Sequence, residues 1–245
     1  MGNCLYTQLK ATVNNSELFK LNELRFKVEG NTSNTFQLEV GYGGTTPYTV
    51  ESDGVTWNAS THIITGESGT ISLFPKEIIT VIKIANLTNG VYIVNKPEDV
   101  FKYCDIYTFK GKFAGGWNLS QIKDISTPNL DVFSAERDTT VIGDIDAFKD
   151  RTSIKNIGIN YCTGIYGNLS SFAKLINLNY LYLRSTNIDG ELTDFAAAQV
   201  ANDRTSGALY VTCNGKIKLN GDIVADNTIK TITFDSSLPN GYSIS

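Results

Sequence analysis

The chain has one histidine, one methionine, two tryptophans and five prolines among 245 residues. With His62 as the sole imidazole, any mechanism that needs two histidines is excluded, and a Ser-His-Asp arrangement would have to be assembled around that one residue. No stretch approaches the roughly 20 apolar residues that span a bilayer as a helix. The opening Met1-Gly2-Asn3-Cys4-Leu5-Tyr6 carries neither the charged nor the apolar segment of a signal peptide, which predicts a chain that is not exported and not inserted in a membrane. There is no dense run of Lys and Arg, and the formal charge is −4. Nucleic-acid binding, which replaces phosphate counterions with clustered cations, is therefore not expected. Cys4, Cys104, Cys162 and Cys213 lack C-x-x-C spacing, so no metal knuckle or redox pair is predicted, and Cys104 and Cys162 read as small apolar fillers.

What is present is a period. An apolar residue, two spacers, an apolar residue, one spacer and an apolar residue recur as Ile79-Ile82-Ile84, Phe101-Cys104-Ile106, Thr127-Leu130-Val132, Ile154-Ile157-Ile159, Leu178-Leu181-Leu183, Ser206-Leu209-Val211 and Ile229-Ile232-Phe234. Their last members are spaced by roughly 22 to 28 residues, the range of repeat architectures. A second element follows the best copies: Gly143-Ile145-Phe148, Gly167-Leu169-Phe172 and Gly190-Leu192-Phe195. A unit this small cannot bury its apolar residues alone, so neighbouring units must stack, with Phe148, Phe172 and Phe195 as an internal aromatic ladder.

Ile154 to Cys162 and Leu178 to Thr186 match L-x-x-L-x-L-x-x-N/C/T position by position, and Asn187-Ile188-Asp189-Gly190-Glu191-Leu192 extends it. On these residues the chain resembles the leucine-rich repeat family. The resemblance is strongest over 154–192, fair over 206–234 and weak before 135; Thr127 and Ser206 stand where the family has an apolar residue. It implies a solenoid with one short parallel strand per repeat, about seven repeats over 75–245.

Residues 1–74 differ in texture. Leu24-Phe26-Val28 and Phe36-Leu38-Val40 alternate apolar and polar residues around Gly30-Asn31-Thr32-Ser33-Asn34, which predicts a hairpin. Short alternating runs from Tyr48 to Leu73, with turn residues between them, add a small β sandwich or partial barrel. Pro75 marks the expected junction. The fold class expected is thus α+β or β-rich: an N-terminal β domain, as an attachment unit or a cap, and an irregular leucine-rich-repeat-like solenoid.

Candidate chemistry is sparse. Asp144-x-Asp146 lacks the oxygen-rich loop of a calcium hand. Asp144 also aligns with Asn168, Glu191 and Asp222 after the repeat glycine, which predicts a solvated turn position. Gly41-Tyr42-Gly43-Gly44-Thr45-Thr46 lacks the lysine of a phosphate loop. Six Asn-x-Ser/Thr triplets, at Asn14, Asn31, Asn58, Asn86, Asn118 and Asn168, read as a product of composition. No cofactor, metal ligand set or catalytic residue is expected, and the chain reads as a non-enzyme; a polysaccharide lyase or hydrolase would need clustered carboxylates in a cleft.

The residues between the buried positions would form an outward ribbon. Its predicted partner-binding members are Tyr103, Asp105, Tyr107, Asp131, Phe133, Tyr180, Tyr182, Arg184 and Tyr210, with the densest group at Tyr180, Tyr182, Arg184 and Tyr210. More loosely, the Asn/Thr/Gly-rich β segment with irregular repeats resembles virion structural proteins of crAss-like phages of gut Bacteroidetes. That implies a capsid decoration or head-fibre component located in the virion, in a symmetric assembly with other protein subunits, a capsid protein among them. The alternative is a bacterial surface or secreted adhesin recognising a host protein or glycan.

Overall fold

A computed structural model describes residues 23–30, 36–42, 48–58, 60–74, 76, 79–84 and 90–245. Pro75, Cys4, the loop from Gly43 to Thr46 and the triplets at Asn14, Asn31 and Asn86 lie outside the described residues. The chain is β-rich, with two α-helices among the described residues, Pro97–Tyr103 and Leu192–Ala201.

An eleven-stranded sheet runs through the molecule. Its centre is six parallel strands, Ile79–Ile84, Thr108–Lys110, Val132–Ser134, Asn156–Gly158, Tyr180–Tyr182 and Ser206–Thr212. The pairing aligns Ile82, Phe109, Phe133, Ile157, Leu181 and Val211 in one row, all fully buried. From Thr108–Lys110 onward, each of these strands is followed by one of a second, lateral sheet whose parallel members are Trp117–Asn118, Val141–Asp144, Gly164–Asn168, Asn187–Glu191 and Ile217–Leu219. Each strand of the lateral sheet from Trp117–Asn118 to Asn187–Glu191 leads directly into a helical turn: Leu119–Gln121, Ile145–Phe148, Leu169–Phe172 and the helix Leu192–Ala201.

The turns start where the sequence supplies a cap. Asn118, Asp144 and Asn168 each accept a bond from the backbone N–H two residues on, at 2.8, 2.9 and 3.0 Å, satisfying a donor that the turn leaves free. Glu191 does the same for Thr193 and also accepts from the backbone N–H groups of Asn220 and Gly221 at 2.8 and 2.9 Å. So three of the aligned polar turn residues are helix caps, whereas Asp222 sits in a two-residue strand pairing with Ile217–Leu219. The glycines before the caps are required by backbone and space together. Gly167 has φ +132°, and a Cβ there would lie 2.6 Å from Ile145 Cγ1 and 2.7 Å from Asp144 Oδ1 of the preceding layer.

The expected triplets Ile79-Ile82-Ile84, Ile154-Ile157-Ile159 and Leu178-Leu181-Leu183 are buried throughout. In the second layer the register lies five residues further on than Phe101-Cys104-Ile106, at Ile106-Phe109-Gly111, and in the third it lies three further on, at Leu130-Phe133-Ala135. Two causes are visible. Pro97 at the first helical position, with Glu98 and Asp99 in the first turn, makes a helix of Pro97–Tyr103, which takes Phe101 out of any strand. In the third layer, turning Phe133 inward buries more apolar surface than turning Val132 inward, and the two choices are exclusive because neighbouring strand residues face opposite sides. Further on, Leu181 pairs with Val211, not Leu209, so Tyr210 lies beside Tyr180. Ile229–Asp235 runs antiparallel to Ser206–Thr212, with Ile232 and Phe234 buried and Ile229 exposed.

In the N-terminal part, Leu24–Val28 and Phe36–Tyr42 do not form the expected hairpin. The first pairs with Gly69–Phe74 and Val91–Ile93, the second with Ile63–Thr65 and Ile79–Ile84. Backbone pairing thus runs from both of these strands to residues beyond 75. One apolar core is continuous from Leu24 to Phe234. His62 occupies a turn with φ +60° ahead of Ile63–Thr65, half-buried.

Aromatic rings carry the core through the middle layers. Phe113–Phe109, Phe109–Phe133, Phe133–Phe148 and Phe148–Phe172 have centroids 5.8, 5.5, 4.8 and 6.4 Å apart. Phe195 is buried on the helix that follows. The carbonyls that end the helical turns are closed by buried side chains. Arg151 donates to Ala147 O at 3.1 Å, to Ile122 O and to the Thr127 hydroxyl. Gln199 Nε2 donates to Phe172 O and Leu175 O, both at 3.1 Å, and Arg204 donates to Gln199 Oε1 and Leu178 O, both at 2.7 Å.

Replacing Phe172 by Ala should cost about 3–5 kcal/mol in chemical denaturation, because a fully buried ring leaves a void that two neighbouring layers line. Glu191→Gln should show a pH signature. Burial alone would push the Glu191 carboxyl up, but its bonds from Gly221, Thr193 and Asn220 hold it below its ordinary value. The carboxylate therefore contributes stability above the unfolded-state pKa near 4.5, and loses it as pH falls through the lower folded-state value. The melting-temperature gap between wild type and Glu191→Gln should be widest at neutral pH and close as the solution is acidified below that point.

Candidate functional site

With the inward row fixed, the residues on either side of it point out of the long sheet. One outward column runs Asn156, Tyr180, Tyr210, Thr231; the other runs Gly158, Tyr182, Thr212, Ile229. Tyr180 and Tyr210 are 40% and 41% exposed, and Ile229 is 64% exposed. The Tyr180 ring stacks on Tyr210 at 5.3 Å and 17° across strands, and on Tyr182 at 5.9 Å and 13° along its own strand. Tyrosine and isoleucine suit this half-exposed, pleated surface, and the strand spacing of about 4.8 Å sets the ring spacing. The result is an apolar patch of four side chains at the C-terminal end of the parallel sheet.

A polar edge borders it where the strands end. The residues following them, Arg137, Tyr161 and Ser185, adopt the left-handed conformation with φ of 65°, 64° and 55°. The Arg137 guanidinium lies over the Tyr161 ring at 5.4 Å and that of Arg184 at 4.9 Å. Arg137 comes from the preceding layer and Arg184 from the following one: Arg137 N–H donates to Asn160 O, and Tyr161 N–H to Arg184 O. Asn160 ties the edge together, its Oδ1 accepting from Arg184 N–H at 2.9 Å and its Nδ2 donating to Glu136 Oε1 at 3.3 Å. Glu136 can lie against the sheet because Gly158 has no side chain; a Cβ there would sit 3.1 Å from Glu136 Oε1. Burial, then Tyr180 and Glu136, push the Tyr182 phenol up, keeping it a neutral donor at physiological pH.

The predicted ribbon residues divide into three groups. Tyr180, Tyr182 and Tyr210 come together with Arg184 at the adjoining edge. Tyr103, Asp105, Tyr107 and Asp131 lie before the starts of the strands, apart from the patch: Tyr103 ends the helix Pro97–Tyr103, with Lys76 and Lys102 over its ring at 4.7 and 5.0 Å. Asp105 accepts from Asn129 at 2.9 Å, Tyr107 is exposed, and Asp131 pairs with Lys155 at 3.1 Å. Phe133 is not on the ribbon at all; it is fully buried, for the packing reason given above. Ile229, Arg137, Tyr161 and Glu136 were missed by the sequence reading. Ile229 had been placed inward by the triplet pattern, which assumes a parallel strand. Arg137 and Tyr161 lie one 24-residue period apart, as do Glu136 and Asn160, but their residue types do not repeat, so the apolar pattern did not mark them.

A groove of about 600 Å³ on another flank is lined by Lys123, Thr127, Asp146, Lys149 and Arg151. Most of its charges are engaged within the chain: Asp146 bridges Lys123 at 3.0 Å and Lys149 at 3.2 Å, Asp150 pairs with Lys174 at 2.9 Å, and Arg151 is bonded to carbonyls. Among the described residues no group of three His, Cys, Asp or Glu side chains is placed to hold a metal ion, and no helix is long and apolar enough to cross a membrane. No protein-family model, curated protein or solved structure matches the chain.

Cys104, Cys162 and Cys213 are buried. Burial, with the charges of Asp138 and Glu136 behind it, pushes the Cys162 thiol up to about 12, and burial pushes Cys213 up to about 11. Iodoacetamide at pH 8 should leave the peptides carrying Cys162 and Cys213 unmodified in the native protein and alkylate both after denaturation, as read by mass spectrometry.

Proposed function

We propose that this chain is a non-catalytic binding protein: an N-terminal β-rich part, as attachment unit or cap, joined to a leucine-rich-repeat-like solenoid that presents the tyrosine patch to other protein subunits. The solenoid reading is supported by parallel strands that recur about every 24 residues, four of them followed by a lateral strand and a capped helical turn. The binding reading rests on one observation above the others, the apolar cluster Tyr180–Tyr182–Tyr210–Ile229 standing exposed beside the polar edge of Glu136, Asn160 and Arg184. An apolar centre with a polar rim, rich in Tyr and Arg, is the anatomy of protein interfaces.

Within that class the reading is a virion component, a capsid decoration or head-fibre protein, in a symmetric assembly. Against a glycan-binding adhesin stands the packing of the rings. Sugar rings need open aromatic faces, whereas Tyr180 is stacked on both Tyr182 and Tyr210.

Light scattering of the purified chain, with and without purified coat protein of the source particle, tests this. A symmetric oligomer or a defined complex with coat protein is expected. The double variant Tyr180→Ala, Ile229→Lys should weaken that association at least about tenfold while shifting the melting temperature by only a few degrees, since neither side chain belongs to the buried core. A monomer that ignores coat protein, or an association indifferent to the double variant, would overturn the assignment.

A further inference from the structure

The polar edge has a property that the patch alone does not explain. Two guanidiniums from neighbouring layers are held against the same phenol ring, Tyr161, at 5.4 and 4.9 Å. Tyr161 reaches that position through a left-handed backbone that a residue with a bulky side chain adopts at a cost. The Arg184 backbone is fixed by Asn160, and its buried Nε makes no hydrogen bond but forms a loose ion pair with Asp226 Oδ2 at 3.7 Å, so it is the rest of the guanidinium that faces a ligand. Arginines stacked on a ring have lost most of their freedom before any ligand arrives, so less entropy is lost when they bind. They stand on a chain of net charge −4, beside the exposed Tyr180–Tyr210–Ile229 patch.

We propose that Arg137, Tyr161 and Arg184 form a preorganised carboxylate clamp, and that the partner of the tyrosine patch is an extended acidic segment of another protein, with Glu or Asp at the clamp and aliphatic side chains over the patch. The planar guanidinium fork matches a carboxylate in two parallel bonds. The patch offers ring edges and the Ile229 side chain, an uneven apolar surface that fits aliphatic groups better than a flat sugar ring. The clamp rests on the binding-protein reading above but can fail separately from it, because it lies at the edge of the sheet and is probed without coat protein.

The probe is poly-L-glutamate, titrated against the full chain by fluorescence anisotropy in about 0.05 M and about 0.5 M salt. Binding is expected at low salt and should weaken at least about tenfold at high salt, as exposed ion pairs do. The double variant Arg137→Gln, Arg184→Gln should lose at least about tenfold in affinity at low salt, while Lys110→Gln, a cation elsewhere on the same sheet, stays within about twofold. Tyr161→Leu keeps both charges and removes their platform; a severalfold loss with an unchanged salt slope is the mark of positioning. No binding by wild type, or a double variant that binds as wild type does, would sink the clamp even if the oligomer remains sensitive to Tyr180. Polygalacturonate binding as tightly as poly-L-glutamate would overturn the peptide assignment in favour of an acidic glycan.

Discussion

Each layer of this chain has a strip of apolar side chains and a set of turn carbonyls for which it contains no adequate partner, and the neighbouring layer supplies both. The inward row from Ile82 to Val211 exists only because consecutive strands align in register. The polar side of the same requirement is met by reach: Arg151 closes carbonyls of its own layer and the one before, Gln199 bonds to Phe172 and Leu175 one layer back, and Arg204 to Leu178. Guanidiniums are suited to this, since they fan several donors from one rigid plane and stay charged even where burial lowers the Arg204 group to about 10. The caps and the glycines before them follow from the same contact, as the layer spacing leaves no room for a Cβ at Gly167.

The outer face inherits this order. A side chain placed beside the inward row is held at strand spacing from its counterpart in the next layer, so Tyr180 and Tyr210 meet as stacked rings without a loop or ligand to bring them together. The same spacing carries the arginines of adjacent layers to the Tyr161 ring. Side chains on such a frame are positioned by the core, and the recognition surface proposed above rests on that positioning.

Much of this was legible where the residues left one choice. Ile154 to Ile159 and Leu178 to Leu183 have apolar residues at the inward positions and polar, small or tyrosine residues between, so the register could take one value. Around Phe101 to Ala135 two registers were available, and what selected between them, a proline-led helix and the burial of Phe109 and Phe133, is a packing outcome that a three-position pattern does not weigh. The direction of a strand is equally silent in the pattern. Ile229-Ile232-Phe234 satisfies it, yet the strand returns antiparallel and Ile229 joins the patch. The N-terminal strands were legible as strands but not as partners, because each pairs with segments that only the assembled fold brings near. Of the site, the tyrosines were visible in sequence; Arg137 and Tyr161 were not, since their meeting depends on a left-handed turn repeated between layers.

The antiparallel pairing of Ser206–Thr212 with Ile229–Asp235 bears on how the molecule comes into being. Its seven register pairs join segments close in sequence, whereas every parallel pair must wait for a full layer of intervening chain to be ordered. Loop closure is cheaper for the shorter connection, so this hairpin can form early, as can the still shorter pairings of Ile229–Asp235 with Tyr242–Ile244 and of Thr56–Asn58 with Ile63–Thr65. From the C-terminal hairpins, which adjoin the parallel strands directly, layers can then add towards the N-terminal strands, each using the previous one as its template. The tyrosine patch, built on that hairpin and the strand beside it, would be complete before most of the molecule has folded.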